Sequence, residues 1–412
     1  MGHGGSAATG AQWQAPARSG YDVVIAGGAM LGSSTAWFLS QQHDFNGRVL
    51  VVERDPSYEF SATARTNSCI RQQFSTEINI RISQFGAEFV KNFREFMGGG
   101  PDVPQPILQS YGYMYLAGDP DFLSVLEECQ QIQEAAGAGT RIMMPDDILA
   151  AYPFYHLDDI VAGSHNQRDE GYFDGATLFD WWRREARRAG VEYVHNEVVD
   201  VARDGGRITG IVLASGERIA TGSLVNATGT RGARFAEMAG AGPLPIEPRR
   251  RYTFIFDAAE PLDRDLPLTI DPSGVHVRTD GQYYLAGCSP IGEDPAVEVD
   301  DFTIDENVWE EKAWPAIAHR IPAFERTKLM NTWVGHYDFN TLDQNAIIGP
   351  HPDVENFFFL NGFSGHGFQQ SPAMGRGMAE LLTHGGYRTL DLSPLGYERV
   401  MSNRPFVEKA VI

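Results

Sequence analysis

Glycines near the start of the chain have the spacing of a turn that binds phosphate groups. Gly27 and Gly32 lie where the apolar segment YDVVIA passes into the helical segment MLGSSTAWFLS. In a dinucleotide-binding unit the first glycine makes the tight turn, the second lets the backbone approach the pyrophosphate, and the third lets helix and strand pack closely. Ala29 stands at the second place and adds a methyl group there. We predict a nucleotide-binding turn made of Gly27, Ala29, Met30, Leu31 and Gly32.

A carboxylate follows at the distance that a nucleotide ribose requires. The apolar strand RVLVVERD ends in Glu53, 21 residues after Gly32. A carboxylate at this place can accept hydrogen bonds from the adenosine ribose hydroxyls, and it would repel the 2′-phosphate of NADP. We count Glu53 and the adjacent Arg54 among the cofactor residues. The alternative is a tight turn in another α/β fold, with Glu53 at a solvated strand end.

A loop of small polar residues comes next. The stretch SATARTNSCIRQQFS resembles the corresponding loop of the D-amino-acid oxidase and sarcosine oxidase family of FAD enzymes. In that family the loop lies along the pyrophosphate and the central ring of the flavin. The resemblance implies that Arg65 is a counter-charge for phosphate. It also implies FAD contacts from Ser61, Thr63, Arg65, Thr66, Asn67 and Ser68.

A second cofactor segment closes a meander in the middle of the chain. The amphipathic helix ATLFDWWRREARRAG precedes short alternating strands that are separated by glycine turns. The last strand ends in NATGTRG, which resembles the family's second cofactor motif, where a small-residue turn lies against the nucleotide half of FAD. The resemblance implies contacts from Val198, Val199, Ala227, Thr228 and Gly229.

The segment NFFFLNGFSGHGFQQSPAMGRGMAELL joins an apolar strand, a glycine turn and a helix. We predict Ser371 as the helix N-cap and Pro372 as the first helical residue, so that the positive end of the dipole points at the turn. Such a helix end would stabilise the negative charge of a reduced flavin. A hydrolase nucleophile at Ser364 is disfavoured because His366 stands where the G-x-S-x-G elbow needs glycine. The turn resembles the family's pyrimidine-contacting segment, which implies contacts from Gly362, Phe363, Ser364, Gly365, His366, Gly367, Phe368 and Gln369.

Other residues are candidates for contact with substrate. Arg71 resembles the family's carboxylate-binding arginine, and Tyr284 falls where relatives place a substrate-facing tyrosine. The segment from Trp333 to Thr341 runs beside the flavin in relatives, which makes Gly335 a predicted cofactor contact. A buried aromatic role for Tyr284 and a structural role for His336 are the alternatives. The predicted catalytic set is Arg71, Tyr284, His336, Tyr337 and Gln369.

Departures from the family pattern bear on how FAD is held and reoxidised. Relatives tether the flavin through a cysteine or histidine at places that here hold Gly335-His336-Tyr337 and Ala64-Arg65-Thr66. We therefore expect non-covalent FAD. The lysine that the oxidases place above the flavin is missing from SPIGED, and Gln369 replaces another. The sequence thus leaves two alternatives for the electron acceptor, which are oxygen and a quinone or carrier protein.

Composition limits the class of protein. The chain has 412 residues, 42% of them hydrophobic, which is enough for two domains. Its formal charge of −21 argues against binding of nucleic acid or anionic membranes, and no apolar run reaches the roughly 18 residues of a membrane span. Its few, widely spaced cysteines, Cys69, Cys129 and Cys288, argue against a disulfide framework or a metal site and favour a cytoplasmic location.

The motifs predict an α/β fold with a Rossmann-type FAD-binding domain of glutathione-reductase-like topology and an α+β substrate domain built on an antiparallel sheet. The predicted boundaries follow from the motifs and from the Pro/Gly-rich segments GGGPDVPQP and GAGPLPIEP. They are 1–20 for a disordered tail; 21–100, 165–240 and 330–390 for the FAD-binding domain; 101–164 and 241–329 for the substrate or cap domain; and 391–412 for a C-terminal extension.

The resemblance implies oxidation of a CH–NH bond in a small amine or amino acid, either N-alkylated, secondary or of D configuration. Hydride would pass to flavin N5, and water would hydrolyse the imine. One alternative is a 2-hydroxy acid dehydrogenase of the same family. The other is a flavin-binding assembly or interaction factor, because the segment from DFNTLDQNAIIGPHP onwards resembles the branch that includes a mitochondrial complex I assembly factor.

Overall fold

The computed structural model describes residues 12–409 as helices and strands arranged around two large sheets. The strands are β1 (Gly20–Ala26), β2 (Val49–Glu53), β3 (Cys69–Ile70), β4 (Tyr113–Ala117), β5 (Arg141–Met143), β6 (Ala162–Asn166), β7 (Gly171–Tyr172), β8 (Glu192–His195), β9 (Val198–Asp204), β10 (Arg207–Leu213), β11 (Arg218–Asn226), β12 (Ile246–Ala258), β13 (Leu268–Ile270), β14 (His276–Asp280), β15 (Tyr283–Cys288), β16 (Thr327–Asn340), β17 (Ile347–Pro350) and β18 (Phe357–Asn361). The helices are α1 (Met30–Ser40), α2 (Glu77–Lys91), α3 (Phe93–Phe96), α4 (Pro120–Ala135), α5 (Pro145–Ala151), α6 (Gly175–Arg188), α7 (Gly232–Met238), α8 (Trp314–Arg320), α9 (Gly367–His384) and α10 (Glu398–Met401).

The first sheet forms the nucleotide-binding domain. Its strand order is β17-β18-β11-β1-β2-β8; β18, β11, β1, β2 and β8 run parallel to one another, and the edge strand β17 is antiparallel to β18. Val24 and Ile25 of β1 are fully buried because helices and the β9–β10 hairpin cover the two faces of the sheet. The parallel strands end at one edge, where the predicted cofactor turns meet. This arrangement agrees with the predicted Rossmann-type domain.

Helix α9 begins earlier than the sequence suggested. Its first residue is Gly367 and its N-cap is His366, so Pro372 lies inside the helix and Ser371 is not a cap. Pro372 lacks the N–H that would bond to Phe368 O, and the Ser371 hydroxyl donates to that carbonyl instead at 2.7 Å. The helix therefore continues through the proline, and its N-terminus lies at the glycine turn itself.

The second sheet forms the cap domain, with strand order β16-β12-β15-β14-β13-β4-β6-β5. Its pairs are antiparallel apart from β13 and β4, as predicted in general form. The boundaries differ from the prediction, because β16 pairs with β12 from Ile246↔Asn340 to Ala258↔Thr327. Residues 330–340 therefore belong to the cap sheet. The end of β6 also extends beyond the predicted boundary at 164.

The predicted disordered tail is wrong for residues 12–20, and residues 1–11 lie outside the described part. The backbone of Gln14 pairs with His195 at 2.9 Å, and Ala17 N donates to Glu192 Oε1 at 2.7 Å. Trp13 packs on the His195 ring at 5.0 Å. This segment follows β8 because β8 is an edge strand whose polar backbone groups need partners.

The C-terminal segment returns to the nucleotide-binding domain. Arg399 forms a buried ion pair with Asp343, with 2.6 Å between Nε and Oδ2. Glu408 is also buried and accepts hydrogen bonds from the backbone and hydroxyl of Ser75. Among the described residues, no helix combines the length and apolar character needed to cross a membrane.

Candidate active site

An elongated cavity lies between the ends of the parallel strands and the cap sheet. Both domains line it, the first through its turns and the second through β12, β14 and β16. The predicted residues that line it are Gly27, Ala29, Met30, Leu31, Glu53, Arg54, Ser61, Thr63, Arg65, Thr66, Asn67, Ser68, Arg71, Val198, Val199, Ala227, Thr228, Gly229, Gly335, His336, Tyr337, Phe363, Ser364, Gly365, His366, Gly367, Phe368 and Gln369. Gly32, Gly362 and Tyr284 are not among the lining residues.

The first turn depends on the close approach of two parallel strands. Gly27 has φ +95°, and a Cβ there would overlap Ala227 O and lie 2.8 Å from the carbonyl carbon. A Cβ on Gly32 would overlap the carbonyl oxygen of Gly27. Gly32 therefore shapes the turn from behind, which explains why it does not line the cavity. The turn and the N-terminus of α1 leave backbone N–H groups beside the cavity, as a pyrophosphate requires.

Glu53 lies at the end of β2 with each carboxylate oxygen on a backbone N–H. Oε2 accepts from Gly28 N at 2.8 Å, and Oε1 accepts from Asp55 N at 2.7 Å. Burial raises the pKa of Glu53. Each oxygen retains a lone pair, so the carboxylate can accept further hydrogen bonds from ribose hydroxyls. This geometry fits the adenosine half of FAD.

Arg65 contacts backbone carbonyls on the cavity wall, and its role as a phosphate counter-charge stays a prediction. Its guanidinium donates to Glu59 O at 2.9 Å and to Val334 O at 3.4 Å, and it lies 5.1 Å from the centre of the Phe60 ring. Gly335 makes room for this arrangement, because a Cβ there would lie 3.0 Å from the Cβ of Arg65. Arg65 therefore joins the loop of residues 61–68 to β16 through two of its donors, and within residues 12–409 its Nη2 donates no hydrogen bond.

Asp338 supports the glycine turn, and the sequence analysis did not predict this role. Its Oδ2 accepts from the backbone N–H of Gly362 at 2.9 Å and of Phe363 at 3.2 Å. Its own carbonyl accepts from Ser364 N at 3.2 Å. Burial raises the pKa of Asp338 to about 6. The sequence held one clue to this role, because an aspartate in the buried half of a strand needs hydrogen-bond donors. It does not show which turn provides those donors.

Arg71, His366 and Gln369 form one buried cluster at the floor of the cavity. Arg71 donates through Nη1 to Gln73 O and through Nη2 to His366 Nε2, the latter at 2.8 Å. The side-chain oxygen of Gln369 accepts from the backbone N–H of Arg71 at 2.9 Å. Burial and the Arg71 charge lower the pKa of His366 well below its usual range, so His366 is a neutral acceptor. The cluster places a guanidinium next to the N-terminus of α9.

A second carboxylate that sequence reasoning missed lies behind this cluster. Glu170 is fully buried and accepts from Gln72 N at 2.6 Å, from Gln73 Nε2 at 2.9 Å and from Asn166 Nδ2 at 2.9 Å. Burial raises the pKa of Glu170 to about 7. Because Gln73 also bonds to Arg71, Glu170 helps to position the Arg71 guanidinium.

Glu170 should make the stability of the fold depend on pH. Its folded pKa is raised from 4.5 to about 7, so the native state retains a proton that the unfolded state loses. The stabilisation is present below about pH 4.5 and is lost as the pH rises through about 7, by at most about 1.4 kcal/mol per pH unit. We expect Glu170→Gln to weaken this decline, measured by urea unfolding at about pH 5 and about pH 8. The exposed Glu127→Gln is the control, and an equal decline in both variants would contradict the assignment.

Tyr284 belongs to the core of the cap domain and does not face the cavity, which corrects the prediction of a substrate-facing tyrosine. Its hydroxyl accepts from Leu262 N at 2.8 Å, and its ring packs on Phe256 and Phe324 with centroid distances of 5.5 and 4.5 Å. The alternation of side chains along β15 points this residue away from the first domain. The sequence does not show which face of the sheet covers the cavity, so it could not distinguish a substrate-facing Tyr284 from a buried one.

Two neighbouring residues of β16 have different places in the cavity. His336 stacks on Phe302 at 4.2 Å, and its Nε2 lies 2.8 Å from Asp301 O. It therefore lies at the edge of the cavity, beside the cap segment that contains these two residues. Burial lowers the pKa of His336. Tyr337 lies deeper, against Gly365, where any Cβ would overlap its ring. Tyr337 is therefore the closer of the two to the glycine turn.

The mouth of the cavity is bridged by an ionic contact between the domains. Asp300 of the cap lies 3.4 Å from Arg54, which follows Glu53, and also pairs with Arg231, which follows the second cofactor motif. Phe60 and Phe302 pack together beside this bridge at 5.0 Å. The cap thus closes over both cofactor motifs.

Known proteins share this sequence pattern and this architecture. The family model described as DAO, FAD dependent oxidoreductase, matches residues 22–381. FAD-dependent oxidoreductase domain-containing protein 1 of Xenopus laevis is 36% identical over 95% of this chain and 85% of its own length. Sarcosine oxidase subunit beta of Arthrobacter sp is 23% identical over 93% and 91%. The structure of L-proline dehydrogenase from P.horikoshii has a TM-score of 0.80 and 25% identity, and the match covers 92% of this chain and 98% of that chain.

Proposed function

The chain belongs to the DAO family of FAD-dependent oxidoreductases, and on this premise we propose that it oxidises the CH–NH bond of a small amino acid. The substrate in this proposal is an N-alkylated or secondary amino acid, or one of D configuration. The observation that carries the proposal is the continuous cavity, which extends from the nucleotide turn and Glu53 to an inner chamber beside Arg71 and Tyr337. FAD is the cofactor of the family, as the sequence predicted.

Bound FAD supplies the acceptor for a hydride from the substrate carbon, and water then hydrolyses the resulting imine. The backbone turn at Gly27 and the carboxylate of Glu53 would hold the nucleotide half. The turn from Gly362 to Gly367 and the N-terminus of α9 would hold the pyrimidine half, where a helix dipole favours negative charge. Asp338 keeps this turn in place through the two N–H groups that it accepts.

The chamber favours an unprotonated amine, which is the form that can be oxidised. Arg71 and Arg251 both line the cavity there. His276 is neutral, since burial and the neighbouring Arg278 and Arg251 lower its pKa to about 4. The carboxylate of Asp338 is directed at the glycine turn. Positive groups near an amine disfavour its protonated form, so this setting would lower the pKa of a bound amine.

Arg71 is proposed to attract the substrate carboxylate to the floor of the chamber. Gln369 and His366 hold Arg71 in position for this role. Tyr337 is proposed as a wall of the substrate chamber, and His336 as a contact at the edge of the cavity. Oxygen and a quinone or carrier protein remain the proposed electron acceptors. Non-covalent attachment of FAD and a cytoplasmic location remain predictions from the sequence.

The test is an absorbance spectrum of the purified protein, acid precipitation, and anaerobic titration with N-methyl, secondary and D-amino acids. We expect a yellow protein, FAD in the supernatant after precipitation, and bleaching of the flavin by one of these amines. Bleaching by 2-hydroxy acids alone would instead support the 2-hydroxy acid dehydrogenase. A yellow protein that no compound bleaches would support a structural flavin in an assembly or interaction factor.

A further inference from the structure

The chamber contains a guanidinium whose donors are only partly used. Arg251 of β12 lines the cavity, and its Nη1 donates to Arg250 O at 2.8 Å and to Asp294 Oδ2 at 2.9 Å. Within residues 12–409 its Nε and Nη2 donate no hydrogen bond, and Nε is buried. Buried donors without an acceptor are rare in folded proteins and call for an explanation.

Other arginines also have a buried Nε without a partner, but they differ in position. Arg183, Arg249, Arg250, Arg278 and Arg376 share this feature, and none of them lines the cavity. Arg251 combines the unused donors with a place on the cavity wall. Its guanidinium lies 4.7 Å from the centre of the Tyr337 ring, which also lines the chamber. A planar guanidinium with unused donors is suited to a carboxylate.

Arg71 and Arg251 approach the chamber from opposite domains. Arg71 belongs to the floor with α9, whereas Arg251 belongs to the cap sheet. The charges of both arginines act on Tyr337. Burial raises the pKa of its hydroxyl, and the charges of Arg251 and Arg71 act in the opposite direction. One small substrate beside Tyr337 would therefore lie within the field of two guanidinium groups.

We propose that Arg251 binds a second carboxylate of the substrate, so that the enzyme selects amines with two carboxylates over amines with one. This inference rests on the proposed function, in which the first carboxylate is directed toward Arg71. The Arg251–Asp294 ion pair uses one nitrogen of the guanidinium and leaves Asp294 Oδ1 buried without a hydrogen bond. Asp294 reduces the net charge of the pair and thereby limits the affinity for a second anion.

The experiment titrates the FAD-loaded protein with succinate and with butyrate, which have equal carbon number but differ by one carboxylate. Binding is followed by the change in flavin absorbance, which needs no turnover. We expect succinate to bind about tenfold or more tightly than butyrate, as a charge-assisted contact to the unused Nη2 of Arg251 allows. Arg251→Gln should remove this preference. Arg249→Gln is the matched control, because Arg249 lies on the same strand, pairs with Glu247 and does not line the cavity.

A second variant keeps the proposal testable if Arg251→Gln retains too little FAD. Asp294→Asn removes the competing carboxylate. It should increase the affinity for succinate and change the affinity for butyrate by no more than about twofold. Equal binding of the two probes, binding of neither, or a preference that survives in Arg251→Gln would overturn the proposal. Because neither probe is an amine, a preference for succinate without bleaching by any amine would instead contradict the proposed oxidation alone.

Discussion

Gly27→Ala is expected to abolish FAD binding and to lower the free energy of unfolding by about 2–4 kcal/mol. The φ angle of +95° is unfavourable for alanine, and the new Cβ would overlap the carbonyl of Ala227 in the adjacent strand β11. These neighbours are backbone atoms of paired parallel strands, so they cannot move aside as a flexible side chain would. The ends of β1 and β11 would have to separate, which would displace the turn that faces the pyrophosphate.

Gly190→Ala separates the two causes. Gly190 has φ +96°, almost the same as Gly27, but a Cβ there would have no neighbour within 4 Å. In this control only the backbone conformation is unfavourable, so the free energy of unfolding should fall by about 1–2 kcal/mol and FAD should stay bound. FAD retention after desalting and urea unfolding are the measurements. If Gly27→Ala retained FAD and lost no more stability than the control, the assigned role of the turn would be wrong.

Asp338→Ala is expected to weaken FAD binding by about 100-fold or more, because it removes the acceptor of two buried N–H groups. Leaving the donors of Gly362 and Phe363 without a partner costs about 1–3 kcal/mol each. Water can satisfy them only if the turn opens, and an opened turn would no longer hold the pyrimidine ring. The dissociation constant of FAD, measured by flavin fluorescence during reconstitution, gives the effect.

Asp338→Asn and Asp257→Ala are the controls for this prediction. The asparagine retains one oxygen acceptor and should bind FAD within about tenfold of the unmodified protein. Asp257 lies on the neighbouring strand β12 and is exposed, so its removal should leave FAD binding unchanged. FAD affinity in Asp338→Ala equal to that in Asp257→Ala would show that the turn is stable without the carboxylate.

The cofactor motifs could be predicted because each is local. A strand, a glycine turn and a helix N-terminus are encoded within a short stretch, and the parallel strands carry their turns to one edge of the sheet. Gly27, Glu53 and the turn around Gly365 were found in this way, and they line the same cavity. The placement of α9 was less accurate, because Pro372 suggested a helix start. The Ser371 hydroxyl compensates for the N–H that proline lacks.

The sequence could not predict in the same way which face of a cap strand points toward the site. Tyr284 and Tyr337 both lie in strands of the cap, yet one packs in the core and the other lines the cavity. Alternation assigns residues to two faces, but it does not show which face the other domain covers. The same limit led to the assignment of residues 330–340 to the wrong domain, since the partner of β16 is β12, far away in the chain.

The sequence by itself determined the cofactor, the family and the glycine turns that we propose to bind the nucleotide, because these depend on glycine conformations and short-range spacing. Only the tertiary structure decided how the buried charged groups in and behind the cavity wall are paired. Asp338 meets the turn at Gly362, Glu170 meets Gln72 and Gln73, and Arg251 meets Asp294, all across long stretches of chain. Buried charges need partners, and the partners are chosen by how the two sheets pack together.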